Sequence, residues 1–300
     1  MEEGTMERKV GRCAARAAAI CAAALVLAVV LPAAGPAAAG EKPVKIGIMP
    51  TETVKALIEK YQPLMEYLSR KVGRPFEVHP LNSYDEIISH LKSGEIDGGV
   101  FGSFKAHEAL ATIGAVPVAR PEKGGVSTYR GYVIVRKDSG YKKIEDLKGK
   151  SFDFVSKGTS AGYVFPMALL RAKKIDPNAF FSRMTFAGKH EISLSKVLNK
   201  ESDGAAIKNL VFEKLARSDP RINAELTVIH KSENFPEATV LFRKDAPALL
   251  VKSVRQALLG IEKDPEGKGV LNSVGADRFI PTDKKDFAYL SKLVKQMEGK

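Results

Sequence analysis

The densest group of reactive side chains lies in Phe154-Val155-Ser156-Lys157-Gly158-Thr159-Ser160-Ala161-Gly162-Tyr163. A strand-like apolar stretch gives way to hydroxyl and glycine residues, and a helical pattern follows. The first N–H groups of a helix have no acceptor within it, and the helix dipole places partial positive charge there. Such a junction can hold an anion. Thr159 and Ser160 offer hydroxyl donors, and Lys157 adds positive field. The same residues also suit plain N-capping by Thr159 or Ser160. The segment has neither Walker-type lysine spacing nor a dinucleotide fingerprint.

Two further junctions share this design. Ala187-Gly188-Lys189-His190-Glu191 places a histidine at a helix start, where it can donate to an oxyanion or simply be a solvated loop residue. Glu191 fits a helix-dipole partner. Gly102-Ser103-Phe104 repeats the strand–hydroxyl–helix order, so Ser103 is expected to face the Thr159–Ser160 turn. Tyr84 and Tyr129 sit at loop positions, where each supplies a hydroxyl and an apolar wall or packs as a rim residue. Enzymatic chemistry finds little support. There is no G-x-S-x-G elbow and no H-x-x-x-H on one helix, which leaves only a remote Ser160–His190 dyad. No catalytic group, cofactor or metal is expected.

Alternating β and α patterns must position these residues. Period-2 or short apolar runs predict strands at 44–48, 76–78, 96–101, 132–136, 152–155, 184–186, 204–207, 226–229 and 239–242. Helical spacing fills the intervals and continues in pieces over 247–260, 264–273 and 283–298. Repeated β-α units imply mostly parallel sheets with helices on both faces. The polar stretch 139–150 and the break at 232–236 are expected to be crossings between two lobes. One lobe takes residues 40–130 plus 240–300, and the other, inserted, takes 131–239. Two crossings permit hinge bending, and ligands bind beyond the carboxyl ends of such strands.

Lys9, Arg12 and Arg16, an apolar run over 17–31 and Ala37-Ala38-Ala39 read as a secretory signal peptide, residues 1–39. Its loss would remove both cysteines, Cys13 and Cys21, and change the formal charge of +12 to +11. A periplasmic location follows. The charge invites a nucleic-acid reading, but acidic residues are interspersed with basic ones and no aromatic–basic stacking run occurs. An electropositive surround that attracts small anions is expected instead.

FVSKGTSAGYVFP (154–166) with AGKHEISLSKVLNKESDGAA (187–206) resembles the phosphonate/phosphite/phosphate-binding proteins of ABC importers. SYDEIISHLKSGEIDGGVFG (83–102), RGYVIVRKDS (130–139) and DPEGKGVLNSVG (264–275) extend the resemblance over most of 44–298. It implies an α/β fold of the type II periplasmic-binding-protein kind, two α/β lobes closing on a small oxyanion that is handed to a membrane permease, the protein acting as a monomer. Alternatives are a ligand sensor for a membrane receptor kinase, or a binding protein for another small anionic solute. The family's Ser-Thr-Ser turn corresponds to Thr159, Ser160 and Ala161, its histidine to His190, and two tyrosines to Tyr84 and Tyr129. Lys208 stands where members often carry an acid that meets a ligand amine, and Ala106 where many carry Tyr. Lys208 is therefore expected to favour a simple oxyanion, or a ligand with a second anionic group, over an aminated phosphonate.

Overall fold

A computed structural model describes residues 42–299. The expected signal peptide, residues 1–39, lies outside the described residues. The elements in chain order are β1 (Val44–Ile48), α1 (Val54–Val72), β2 (Phe76–Pro80), α2 (Glu86–Ser93), β3 (Gly98–Phe101), α3 (Ser103–Thr112), β4 (Val116–Glu122), β5 (Thr128–Tyr129) and β6 (Gly131–Arg136). Then come β7 (Ser151–Phe154), α4 (Phe165–Ala172), α5 (Pro177–Phe180), β8 (Arg183–Phe186), α6 (His190–Leu198), β9 (Gly204–Lys208), α7 (Asn209–Ser218), α8 (Pro220–Glu225) and β10 (Leu226–Lys231). The chain finishes with β11 (Phe235–Pro236), β12 (Thr239–Phe242), α9 (Ala248–Gly260), α10 (Gly267–Val274), β13 (Arg278–Ile280) and α11 (Ala288–Met297).

Two mixed sheets result. The first has the order β13-β4-β12-β3-β1-β2 and the second β10-β6-β9-β7-β8. Strands linked by helical crossovers pair in parallel, as in β2-β1-β3 and β8-β7-β9. The strands nearest the crossings between sheets, β12 and β6, run antiparallel to their neighbours. The expectation of mostly parallel sheets therefore holds only within the β-α repeats.

The chain leaves the first sheet after β4 and enters the second at β6; it returns between β10 and β12. Stretch 139–150, expected as a crossing, instead joins β6 to β7 within the second sheet. It is polar, but Ile144 and Leu147 are fully buried and pin it there. The two crossing segments pair with each other: β5 and β11 form an antiparallel ribbon with Phe235 opposite Tyr129 and Pro236 opposite Thr128.

Strand β4 escapes the periodicity reading because Pro117 and Pro121 interrupt it. The ladder accommodates Pro117 by a register shift between Val240 and Leu241 of β12, in keeping with proline's confinement to bulges and edges. One apolar core packs β1, α1, α9 and α10, including Ile46, Leu57, Leu64 and Val254. A second runs continuously from Phe101 and Ala106 beside the first sheet, through Tyr129 and Phe235, to Phe152 and Phe154 of the second. Helix α11 packs on α4 and also touches α3, so the C-terminal helix bridges elements associated with both sheets.

Candidate functional site

A cavity of about 1150 Å³ lies among the two sheets and the crossing ribbon, and Tyr84, Ser103, Tyr129, Thr159, Ser160, Ala161, His190 and Lys208 all line it. The structure thus brings these eight candidate ligand-binding residues together around one cavity. Their hydrogen bonds divide them into two groups.

Beyond β7 the chain makes a tight turn. The Thr159 N–H and hydroxyl both donate to the Ser156 carbonyl, at 3.1 and 2.7 Å. The hydroxyl proton of Thr159 is thereby engaged within the turn. Residues 160–164 then form one wide helical turn that continues into α4, the Val164 N–H donating to the Thr159 carbonyl at 3.1 Å. The N–H groups at the start of that helix have no acceptor inside it. Ser160 is 2% exposed; its hydroxyl lies within reach of the Tyr129 hydroxyl but makes no well-formed hydrogen bond in the protein, the Tyr129 proton being given to Ser103. A buried polar group in that state costs about 1–3 kcal/mol, which marks Ser160 as an acceptor's waiting partner. Gly158 must be glycine here: an added Cβ would stand 2.6 Å from Tyr84 Cβ and 3.2 Å from Lys105 Cε. That close approach carries the turn of the second sheet onto Tyr84 beside the first.

His190 is the first residue of α6. The Lys208 backbone N–H donates to its Nδ1 at 3.1 Å. An imidazole that accepts at Nδ1 carries its proton on Nε2 when neutral. Burial, helped by the Lys208 charge, lowers the pKa of His190 to about 3, so the ring stays neutral and presents an N–H donor. Burial, with a contribution from Glu191, raises the Tyr84 hydroxyl to about 12, keeping it protonated as well.

The other group is already satisfied. The Ser103 hydroxyl donates to the Pro236 carbonyl at 2.7 Å, so the 2.7 Å contact with the Tyr129 hydroxyl is donated by Tyr129. Burial pushes the Tyr129 hydroxyl strongly upward. Lys208 Nζ lies 4.3 Å above the Tyr129 ring centroid and 2.6 Å from Glu237 Oε1. The Ala238 N–H donates to Glu237 Oε2 at 2.9 Å. Burial alone would raise the Glu237 pKa, but the Lys208 ammonium and the Ala238 N–H hold it below the usual carboxylate value.

Sequence reasoning missed several wall residues. Glu237 lies in the short return between β11 and β12, where neither periodicity nor a motif points to it. Lys60, whose ammonium is 2.8 Å from Glu52, lies on the outer-looking side of α1's pattern yet lines the cavity. Behind the wall rather than in it, Lys105 is buried on α3 and paired with Asp85 at 2.7 Å and Glu108 at 2.8 Å. Lys157, expected to add positive field, is exposed and does not line this cavity. The expected electropositive surround is also corrected: the walls carry six Lys or Arg and five Glu side chains, several of them paired. The formal charge of the walls is thus nearly balanced, and the neutral donors at Ser160 and His190 stand out against it.

Comparison with known proteins identifies the family and the fold. The family described as the phosphonate periplasmic substrate-binding protein of ABC transporters matches residues 46–287. The phosphonates-binding periplasmic protein of Escherichia coli (strain K12) is 27% identical over 266 residues, covering 86% of this chain and 78% of that protein. The phosphate-import protein PhnD of Mycolicibacterium smegmatis is 25% identical, covering 63% of each chain. Among solved structures, a binding protein component of an ABC phosphonate transporter from Pseudomonas aeruginosa superposes with a TM-score of 0.75 at 23% identity, over 86% of this chain and 87% of that one. PhnD1 from Prochlorococcus marinus, in complex with methylphosphonate, gives 0.74 at 18% identity, over 86% and 98%. The fold is the α/β type II periplasmic-binding-protein fold, and an extracytoplasmic location goes with the family. The chain belongs to the periplasmic substrate-binding proteins of phosphonate ABC transporters.

Proposed function

We propose that the chain is a non-catalytic capture protein that takes up a phosphonate, phosphite or phosphate-like oxyanion and delivers it to the permease of an ABC importer. The observation that carries this reading is the Ser160 hydroxyl, buried without a partner at the start of a helix in a cavity that His190 also lines. Helix N–H groups, the Ser160 hydroxyl and the His190 Nε2–H supply several donors and no net charge. An oxyanion supplies the acceptors they lack.

The chain works as a monomer of two lobes, 40–130 plus 240–300 and 131–239, joined by the β5–β11 ribbon as hinge and by α11, which follows the first lobe in sequence but packs on α4 of the second. A ligand held by Tyr84 on one side and by Ser160 and His190 on the other favours the closed arrangement over the open one, which is the requirement for ligand-driven closure. Residues 1–39 are read as a cleaved export signal.

The floor of the cavity narrows the ligand class. Both Glu237 oxygens have donors, and the Lys208 charge is matched by Glu237. On this floor a ligand ammonium finds no free carboxylate and a second ligand carboxylate no free ammonium; the uncommitted charges of Lys189, Glu191 and Lys214 line other parts of the wall. Simple oxyanions without an amine fit best. Calorimetry on the exported form with phosphite, phosphate, methylphosphonate and 2-aminoethylphosphonate tests this. Tight binding of one of the first three, and weak binding of the aminated ligand, is expected. Preference for 2-aminoethylphosphonate would overturn the ligand class, and silence with all four would overturn oxyanion capture itself.

A further inference from the structure

We propose that His79, His90 and Glu95 form a site for a divalent transition ion of the zinc class, which clips the edge strand β2 to the end of α2. The three side chains come from separate places in the chain. β2 is the outermost strand of the first sheet, with His79 in register with Gly47. His90 lies in the last turn of α2. Gly94 then takes a left-handed conformation, φ +78°, and the N–H groups of Gly94, Glu95 and Ile96 all converge on the His90 carbonyl. That reversal folds Glu95 back beside the His90 ring.

Glu95 faces both imidazoles with different oxygens. Oε1 is 3.7 Å from His79 Nε2, and Oε2 is 3.5 Å from His90 Nδ1. Those separations are long for hydrogen bonds, whose useful range ends at about 3.2 Å. They are close to the edge of a tetrahedron whose ligands lie about 2.0–2.2 Å from a central ion. One ligand atom from each residue falls within a 4.8 Å group. His90 Nδ1 is buried and makes no hydrogen bond, so this nitrogen has a lone pair or proton with no assigned use. Two imidazoles and one carboxylate form the nitrogen-and-oxygen set that zinc accepts, with water completing the coordination. Arg243 reaches beneath Gly94, and its charge is faced by Asp97 and Asp245. The site stands on the far end of α2 from Tyr84, so it stiffens the helix that follows a cavity residue without entering the cavity.

The test uses the exported protein freed of metal with a chelator and then titrated with Zn²⁺ by calorimetry and with Co²⁺ by visible absorption. One equivalent of zinc, a tetrahedral cobalt spectrum and a chelator-reversible rise in melting temperature are expected. Each should vanish in His79→Gln and His90→Gln and weaken in Glu95→Gln, whose side chain is about half exposed and whose replacement leaves the fold intact. All three variants should melt like the parent in the presence of chelator, and His190→Ala should retain the metal. Absence of uptake by the parent, or uptake that survives either histidine substitution, would overturn the proposal.

Discussion

Two regions of one cavity treat their polar groups in opposite ways. At the turn and helix start around Ser160, donors are buried and unspent: the Ser160 hydroxyl has no partner and the His190 Nε2–H carries the ring's one proton. On the floor, Ser103, Tyr129, Lys208, Glu237, Ala238 and Pro236 form a chain in which each named donor has its acceptor. On the proposed reading, the region with fewer charges is the one that takes the anion. The region with a full ammonium has that charge matched internally, and an unpaired buried charge would be far more costly than an unpaired hydroxyl. Positive residues near a cleft are therefore a poor guide to where the ligand sits; unspent donors are a better one.

The largest effect should come from breaking the floor. Glu237→Ala leaves the Lys208 ammonium, 23% exposed, without its carboxylate. Truncating one member of such a pair costs about 2–5 kcal/mol. Chemical denaturation should show that loss, and Lys208→Met in the same chain should recover much of it, because removing both charges is far milder than removing one. If the double variant is as unstable as Glu237→Ala, the floor is not a self-contained pair.

Ser160→Ala should behave in reverse. It removes a buried hydroxyl that has no partner, so the ligand-free protein should be as stable as the parent or up to about 1 kcal/mol more stable. Oxyanion affinity should fall roughly 10- to 100-fold, the loss of one hydrogen bond to a charged group. Paired thermal melts and calorimetry check both signs. A variant that is destabilised while still binding normally would place Ser160 with the floor.

Acid should separate the two regions. The pKa of His190 is depressed to about 3 from an ordinary 6.5. The unfolded chain therefore takes up this proton near pH 6.5 while the folded chain resists it, and stability falls as pH drops below 6.5. Between pH 7 and 5 the loss should be about 1–2 kcal/mol. Glu237, held below its usual value, contributes stability that is lost only lower, as pH falls through its folded-state pKa. Urea denaturation of the parent and His190→Gln should diverge between pH 7 and 5 and run in parallel below the carboxylate range. Parallel curves throughout would remove the neutral-histidine assignment.

The β-α repeats, and the cavity positions of Ser103, Thr159, Ser160 and His190, were legible because strand-to-helix junctions announce themselves locally: an apolar run, glycine or hydroxyl residues, then a 3.6-residue period. Tyr84 and Tyr129 stand out at loop positions, and Ala161 and Lys208 only through the family resemblance. What stayed hidden depends on pairing across distance. Strand β4 carries two prolines and is recognisable only once β12 and β13 flank it. The segment at 139–150 looks like a linker until Ile144 and Leu147 are seen in the core. Glu237 lies 29 residues from Lys208, and no spacing rule links them. His79 and His90 are on different elements, so a search for metal spacing on one helix passes over them.

The smallest expected effect tests Ser103, which the sequence placed against the ligand. Its hydroxyl proton goes to the Pro236 carbonyl and its oxygen accepts from Tyr129, so it can offer an oxyanion no further donor without breaking the link to β11. Ser103→Ala should therefore cost about 1 kcal/mol of stability, as the buried carbonyl and the tyrosine lose a shared partner. Affinity should change by less than about threefold, since a 1.4 kcal/mol contact would be needed for a tenfold change and Ser103 makes none with the ligand in this arrangement. A large affinity loss with unchanged stability would mean that the bond to Pro236 is released on closure, and that the floor, too, holds a donor in reserve.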